Sequence, residues 1–260
     1  MKNYYFQGKT ALVTGASGGI GYEIAKHLAA QNCNLILVAR SEGKLKKIAQ
    51  ELKNNYVKVT VLATDLSSSD SAEKLYREIK KTKLTVNILI NNAGYGLSGR
   101  FSEISKDEQI KMIQLNIASL VELTHLFIAD MVKQGSGAIL NVASTAAFQP
   151  VPWMSVYSAT KSFVLNFSEG IRSEYKDQGI IVTTLCPGPV ATGFAKRAHA
   201  KPSRFRNAMT PEYVARAALY GLKRGDATVV PGISNKIGAI VVKLFPRTLT
   251  RFIIKDLFRK

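Results

Sequence analysis

Thr14-Gly15-Ala16-Ser17-Gly18-Gly19-Ile20-Gly21 separates a short apolar stretch, residues 9–14, from a helix-patterned one, residues 20–31. Glycines at this density let a backbone turn tightly and come close to a bulky anion. A helix that starts at once offers free N–H groups and the positive end of its dipole. Strand, glycine turn and helix in that order make a cradle for a pyrophosphate, with Gly15, Ser17, Gly18, Gly19, Ile20 and Gly21 as its residues. The spacing is Gly-x3-Gly-x-Gly over Gly15, Gly19 and Gly21, not the Gly-x-Gly-x-x-Gly fingerprint. The competing reading is a plain strand–helix turn, and the position directly after the first strand weighs against it.

Working outward, residues 34–39 are continuously apolar, as in a strand buried on both faces. Further strands are expected at 57–63, 86–91, 137–142, 180–185 and 228–230. Helices are expected at 42–53, 71–80, 106–133, 154–176 and 211–223, the last opening on Pro211. Strands alternating with helices predict an α/β fold: one doubly wound Rossmann-type domain over 1–260, built on a mostly parallel seven-stranded sheet. A chain of 260 residues, 46% hydrophobic and 21% charged, fits one such domain. Residues 193–210 read as an irregular insertion, placed as a lid over a site.

The second strand ends at Val38-Ala39-Arg40-Ser41. An acid there would accept hydrogen bonds from an adenosine ribose and repel a 2′-phosphate. An arginine without the acid favours the phosphorylated dinucleotide, NADP(H). Asp65, before Leu66 at the end of the third strand, is placed to reach the adenine; a turn or N-cap aspartate is the equal alternative.

Tyr157 and Lys161 lie four residues apart, and Ser144 lies 13 residues before the tyrosine. The chain holds four Tyr-x-x-x-Lys pairs: Tyr5/Lys9, Tyr22/Lys26, Tyr76/Lys80 and Tyr157/Lys161. Only the last has a serine at a strand end upstream and a Pro-Gly turn downstream. Free tyrosine ionises near a pKa of about 10. A lysine on the same helix face, one turn away, is expected to lower that value. The expected chemistry is proton transfer at a carbonyl, with Ser144 donating to the substrate oxygen, Tyr157 passing the proton and Lys161 supporting the tyrosine.

With these segments the chain resembles the short-chain dehydrogenase/reductase family over roughly residues 8–230. The matching segments are 14–21, Asn91-Asn92-Ala93-Gly94, Asn116, Ser144, Tyr157 to Lys161, and Pro187-Gly188. The resemblance implies an NADP(H)-dependent carbonyl reductase or alcohol dehydrogenase, assembled as a homodimer or homotetramer. It places Asn92, Ala93 and Gly94 beside the adenosine half of the cofactor. It gives Asn116 a water in a proton relay, Lys161 the nicotinamide ribose, and Pro187, Gly188, Val190 and Thr192 the nicotinamide. Two alternatives stay open. A sugar-nucleotide epimerase or dehydratase shares the tyrosine–lysine logic but usually carries a larger C-terminal domain. A non-catalytic dinucleotide-binding sensor or scaffold would not need the full Asn116, Ser144, Tyr157 and Lys161 set.

Tyr95, Leu97, Phe148, Pro150, Pro152, Trp153, Met154 and Phe194 are expected around the site, which suits a lipophilic carbonyl such as an acyl chain, sterol, retinoid or aromatic. The formal charge is +18, and from residue 195 onward 15 Lys/Arg face 3 Asp/Glu. That asymmetry points to an anionic partner. Lys196, Arg197, Lys201, Arg204 and Arg206 could grip an anionic handle, such as the phosphates of coenzyme A or a carrier protein; a solvated basic loop is the equal alternative. In the C-terminal segment, 233–260, Arg247, Arg251, Lys255 and Arg259 make one stripe, with Leu249, Ile253, Ile254 and Leu257 largely opposite. A basic amphipathic helix of that kind, over 247–260, fits an anionic membrane, the chain's own pocket or a partner subunit. No nucleic-acid motif accompanies the basic charge. Two cysteines without a CxxC pair argue against a disulfide framework or a metal site. No unbroken apolar run reaches the roughly 18 residues of a membrane span, and residues 1–8 lack an apolar leader core. The expected location is the cytoplasm, or the periphery of a membrane.

Overall fold

Strands without a polar face need cover on both sides, and the computed structural model of this protein, which describes residues 4–200 and 205–244, provides it. The strands are β1 (Thr10–Thr14), β2 (Asn34–Ala39), β3 (Val59–Ala63), β4 (Ile88–Asn91), β5 (Gly137–Val142), β6 (Ile180–Leu185) and β7 (Thr228–Val229). They form one sheet in the order β3-β2-β1-β4-β5-β6-β7. Every pairing in this sheet is parallel, in keeping with the expected parallel seven-stranded sheet.

Alternate strand residues feed two cores. Ala11, Val13, Leu35, Leu37, Ile88 and Ile90 pack on one face with α1 (Gly19–Ala29) and α8 (Pro211–Arg224), through Ile24, Leu28, Val214 and Leu222. Leu12, Ile36, Val38, Leu89, Ile139 and Val182 pack on the other with α3 (Ser71–Lys81) and α5 (Ser119–Lys133), through Leu75, Ile79, Leu123, Phe127 and Met131. The two-residue period of a strand thus builds three layers. The remaining helices are α2 (Glu42–Leu52), α4 (Lys106–Ile113), α6 (Ser155–Tyr175), α7 (Phe194–Arg197) and α9 (Ile233–Leu244). Helix α8 starts as its sequence dictates: Thr210 caps the Tyr213 amide at 3.2 Å and Pro211 follows.

Two expectations need correction. The insertion at 193–210 is not wholly irregular, because α7 occupies its start. The long helix at 106–133 is interrupted by a π-turn, Gln114–Ala118. By length and composition the Lys106–Lys133 stretch could also cross a membrane. Here its Met112, Leu120, Leu123, Phe127, Ile128 and Met131 are buried in the domain. The stripe at 247–259, with Lys201 and Arg204 of the insertion, lies outside the described residues.

The strand order reverses direction between β1 and β4. Adjacent connections leave toward opposite faces there, which opens a crevice at the carboxyl ends of the strands.

Candidate active site

The glycine turn is held to the end of β4 by a clasp. Thr14 Oγ1 accepts from the Asn92 and Ala93 amides, both at 3.0 Å, and donates to the Ile90 carbonyl at 3.1 Å. The Asn92 side chain donates back to the Thr14 carbonyl at 2.8 Å. Two glycines are needed for this approach. A Cβ on Gly15 would stand 2.7 Å from Asn92 Nδ2, and one on Gly21 would stand 2.4 Å from the same atom. Gly21 is therefore a packing residue of this turn, and it does not itself line the cavity beside it. Gly18 precedes α1 without a side-chain cap, and a Cβ there would meet nothing within 4 Å. The start of α1 is open.

It opens into a cavity of about 1650 Å³ that runs across the switch point. Gly15, Ser17, Gly18, Gly19 and Ile20 line one part, with Arg40, Asp65 and Leu66. Asn92, Ala93, Gly94, Ser144, Tyr157, Lys161, Pro187, Gly188, Val190 and Thr192 line the rest. Nearly all the residues singled out from the sequence thus share one space, long enough to suit an extended dinucleotide.

At the Arg40 end, Ser41, Lys44 and Lys111 also reach the cavity wall. Burial works to raise the Asp65 carboxyl. Bonds from the Ser67 hydroxyl and amide, with the charges on Arg40 and Lys111, outweigh burial and hold it below its usual value. Asp65 Oδ1 is occupied by Ser67, at 2.7 Å and 3.0 Å. It makes the turn that its residue type allowed as the alternative, and it faces the cavity as well.

At the other end, α6 presents Tyr157 and Lys161 one turn apart, both buried. The Lys161 Nζ lies 5.9 Å from the tyrosine ring centroid and donates to the Val142 carbonyl at 2.8 Å. Burial pushes the Tyr157 phenol up to about 12, against a smaller opposing effect of the Ser144 hydroxyl. Burial pushes Lys161 down to about 8. The direction for Tyr157 is opposite to the lowering expected from Lys161, because burial takes the phenolate out of water. A protonated phenol is the form that gives up a proton. Ser144 follows β5, accepts from the Ala146 amide at 3.1 Å and donates to the Pro187 carbonyl at 3.4 Å.

Asn116 sits in the π-turn, and its side chain is spent on protein. Its Oδ1 accepts from the Tyr95 amide at 3.2 Å, and its Nδ2 donates to the Tyr95 carbonyl at 2.9 Å and Thr160 Oγ1 at 3.1 Å. The side chain does not line the cavity. It clamps the loop after β4 to α6.

Of the expected substrate-side residues, Tyr95, Met154 and Phe194 line the cavity. Leu97, Phe148, Pro150, Pro152 and Trp153 do not, and Gln149 and Val151 stand there instead. The stretch 149–154 was read without a period, so which side chains turn inward was hidden. Gly96 was missed altogether. A Cβ there would meet Phe194 Cζ at 2.8 Å and Tyr157 Cδ2 at 3.0 Å. Its bare backbone makes room for both rings, whose centroids lie 5.3 Å apart. Arg197 alone of the described lid cations lines the cavity. It lies over the Tyr95 ring at 4.7 Å and pairs with Glu108 at 3.3 Å.

A parallel, doubly wound sheet with a glycine cradle, a serine and a buried tyrosine–lysine pair in one crevice defines a dinucleotide-dependent oxidoreductase class. The chain belongs to the short chain dehydrogenase family, whose profile matches residues 9–203. It is 36% identical over 194 residues to the human very-long-chain 3-oxoacyl-CoA reductase, covering 73% of this chain and 62% of that protein. The chain thus spans less than two thirds of that relative's length. It is 31% identical over 242 residues to ketoacyl reductase HetN of Nostoc sp., covering 93% of this chain and 80% of that one. Among solved structures, a short-chain dehydrogenase from Sphingobium yanoikuyae in complex with NADPH superposes with a TM-score of 0.82 at 30% identity, covering 95% of each chain.

Proposed function

We propose that this protein is an NADP(H)-dependent reductase of lipophilic carbonyl compounds, with 3-oxoacyl thioesters as its substrate class. The observation that carries the reading is the single crevice joining the Arg40 end to Ser144, Tyr157 and Lys161. NADP(H) supplies a hydride at the nicotinamide when bound. Arg40, with Lys44 beside it, would hold the 2′-phosphate, and the open start of α1 the pyrophosphate. Lys161 would hold the nicotinamide ribose, and Pro187, Gly188, Val190 and Thr192 the ring. Ser144 donates a hydrogen bond to the substrate oxygen, and the protonated Tyr157 delivers the proton that completes the alcohol. Asn116 fixes the backbone of Tyr95 across from that tyrosine.

The relatives named as 3-oxoacyl-CoA and ketoacyl reductases support the thioester class. The apolar wall of Met154, Phe194 and Val151 suits an acyl chain. Arg197 would meet the phosphates of its carrier.

The test is NADPH oxidation with a panel of 3-oxoacyl-CoA thioesters and bulky ketones. Turnover that is fastest on the thioesters, with a Michaelis constant rising with salt, supports the reading. Turnover on ketones alone would reject the thioester class. Tight NADPH binding with no oxidation of any carbonyl would favour a dinucleotide sensor. Arg40→Glu should weaken NADPH at least about tenfold while sparing NADH; equal loss of both would remove Arg40 as the discriminator.

A further inference from the structure

Helix α9 is turned inside out for a surface helix. Ile233, Ile237, Ile240 and Leu244 follow the i, i+4, i+7, i+11 spacing of one stripe, and they are 80%, 56%, 55% and 77% exposed. Val241 flanks them and is also exposed. The opposite face is the one that meets the domain. Ala239 is buried there, and Asn235 donates to the Pro231 carbonyl at 2.9 Å. Asn235 also abuts Gly188, where a Cβ would come within 2.4 Å of its Oδ1. The helix is anchored on the cavity wall by a polar and a small residue, while its large aliphatic side chains point at water. Ordinary amphipathic helices do the reverse. Burying such side chains is favourable, so a contiguous exposed stripe of them marks a contact surface.

Charge decides what covers it. Residues 233–260 carry seven Lys/Arg against Asp256 alone. A second copy would bring a second chain of the same strongly basic charge, and like charges juxtaposed across an interface oppose association. An anionic surface meets no such penalty. An exposed aliphatic stripe in a segment whose sequence carries seven basic residues and one acid suits a helix lying in the plane of a membrane. Lys236 is exposed on α9 itself.

We propose that the outward face of α9 seats this protein on an anionic lipid bilayer, with Ile233, Ile237, Ile240 and Leu244 inserted at the level of the headgroups. The docking does not rest on the reductase reading, since it uses none of the cavity residues.

The test is sedimentation of the full chain with vesicles of phosphatidylcholine alone and of phosphatidylcholine mixed with phosphatidylglycerol. The full chain should bind the mixed vesicles and bind phosphatidylcholine weakly. Ile237→Glu combined with Ile240→Glu should cut partitioning to the mixed vesicles by more than about tenfold. Ile237→Trp should raise it, because tryptophan favours the interface. NADPH affinity, measured alongside, should be unchanged in both, which separates lost docking from lost folding. Equal partitioning of the wild type and the double variant would overturn the proposal, as would no binding by the wild type. A fall in oligomeric state of the double variant, with wild-type vesicle binding, would assign the stripe to a second copy.

Discussion

Tyr76/Lys80 on α3 and Tyr157/Lys161 on α6 share one spacing and nearly one geometry, with lysine Nζ 5.7 Å and 5.9 Å from the ring centroid. Their surroundings differ. The Tyr76 hydroxyl donates to Asp130 at 3.0 Å, and Lys80 pairs with the same carboxylate at 3.3 Å. That bond raises Lys80, while burial and then Asp130 raise Tyr76. On α6 neither side chain has a carboxylate partner among the described residues. Burial raises the phenol and lowers the ammonium, to about 12 and about 8. The i, i+4 spacing sets only that the side chains can meet. Placement under the crevice makes one pair a candidate acid with a titratable neighbour, and leaves the other a surface brace.

The largest effect should come from breaking the pairs in parallel. Tyr157→Phe is expected to lower the turnover number by about 10²–10⁴-fold with NADPH affinity nearly unchanged. Tyr76→Phe should leave turnover unchanged, and steady-state kinetics of the two variants would check both. Next comes the space that only the α6 pair requires. Gly96→Ala places a methyl group against Phe194 and Tyr157, and about a tenfold fall in kcat/KM is expected as the ring is displaced. A crystal structure of that variant should show Phe194 moved. The smallest effect belongs to the brace. Tyr76→Phe should cost about 0.5–1.5 kcal/mol of stability through the lost bond to Asp130, readable as a lower midpoint in urea.

How much of this was legible in sequence follows from what each signal depends on. The strands expected at 34–39, 137–142 and 180–185 are found to the residue, because short runs rich in aliphatic and β-branched residues stop where turn residues begin. The site is legible where chemistry needs a residue type at a fixed separation, as for Ser144, Tyr157 and Lys161. Gly96 carried no such mark. Its role is set by what two distant rings, from α6 and the insertion, leave free, and one sequence does not display that. The π-turn at Gln114–Ala118 was hidden for a related reason, since one wider turn shifts the helix face without interrupting an apolar, helix-forming composition. The number of strands was read correctly. That the last of them joins in parallel depends on which side α8 crosses, and no local signal records that.

The ionisation of Lys161 is the most direct test of this account. Burial disfavours its charged form, so it is a cation below about 8 and neutral above. Tyr157, raised to about 12, stays protonated across the working range and keeps its proton available. If the reduction needs the lysine charge, kcat/KM should be level below about pH 8 and fall about tenfold per unit above it. The measurement is the pH profile of kcat/KM for NADPH-dependent reduction by the wild type beside Lys161→Arg, in which the charge persists. The account predicts a falling limb near pH 8 in the wild type that moves upward by at least about one unit in the variant. A limb at the same pH in both proteins, or a wild-type profile level to about pH 10, would contradict it.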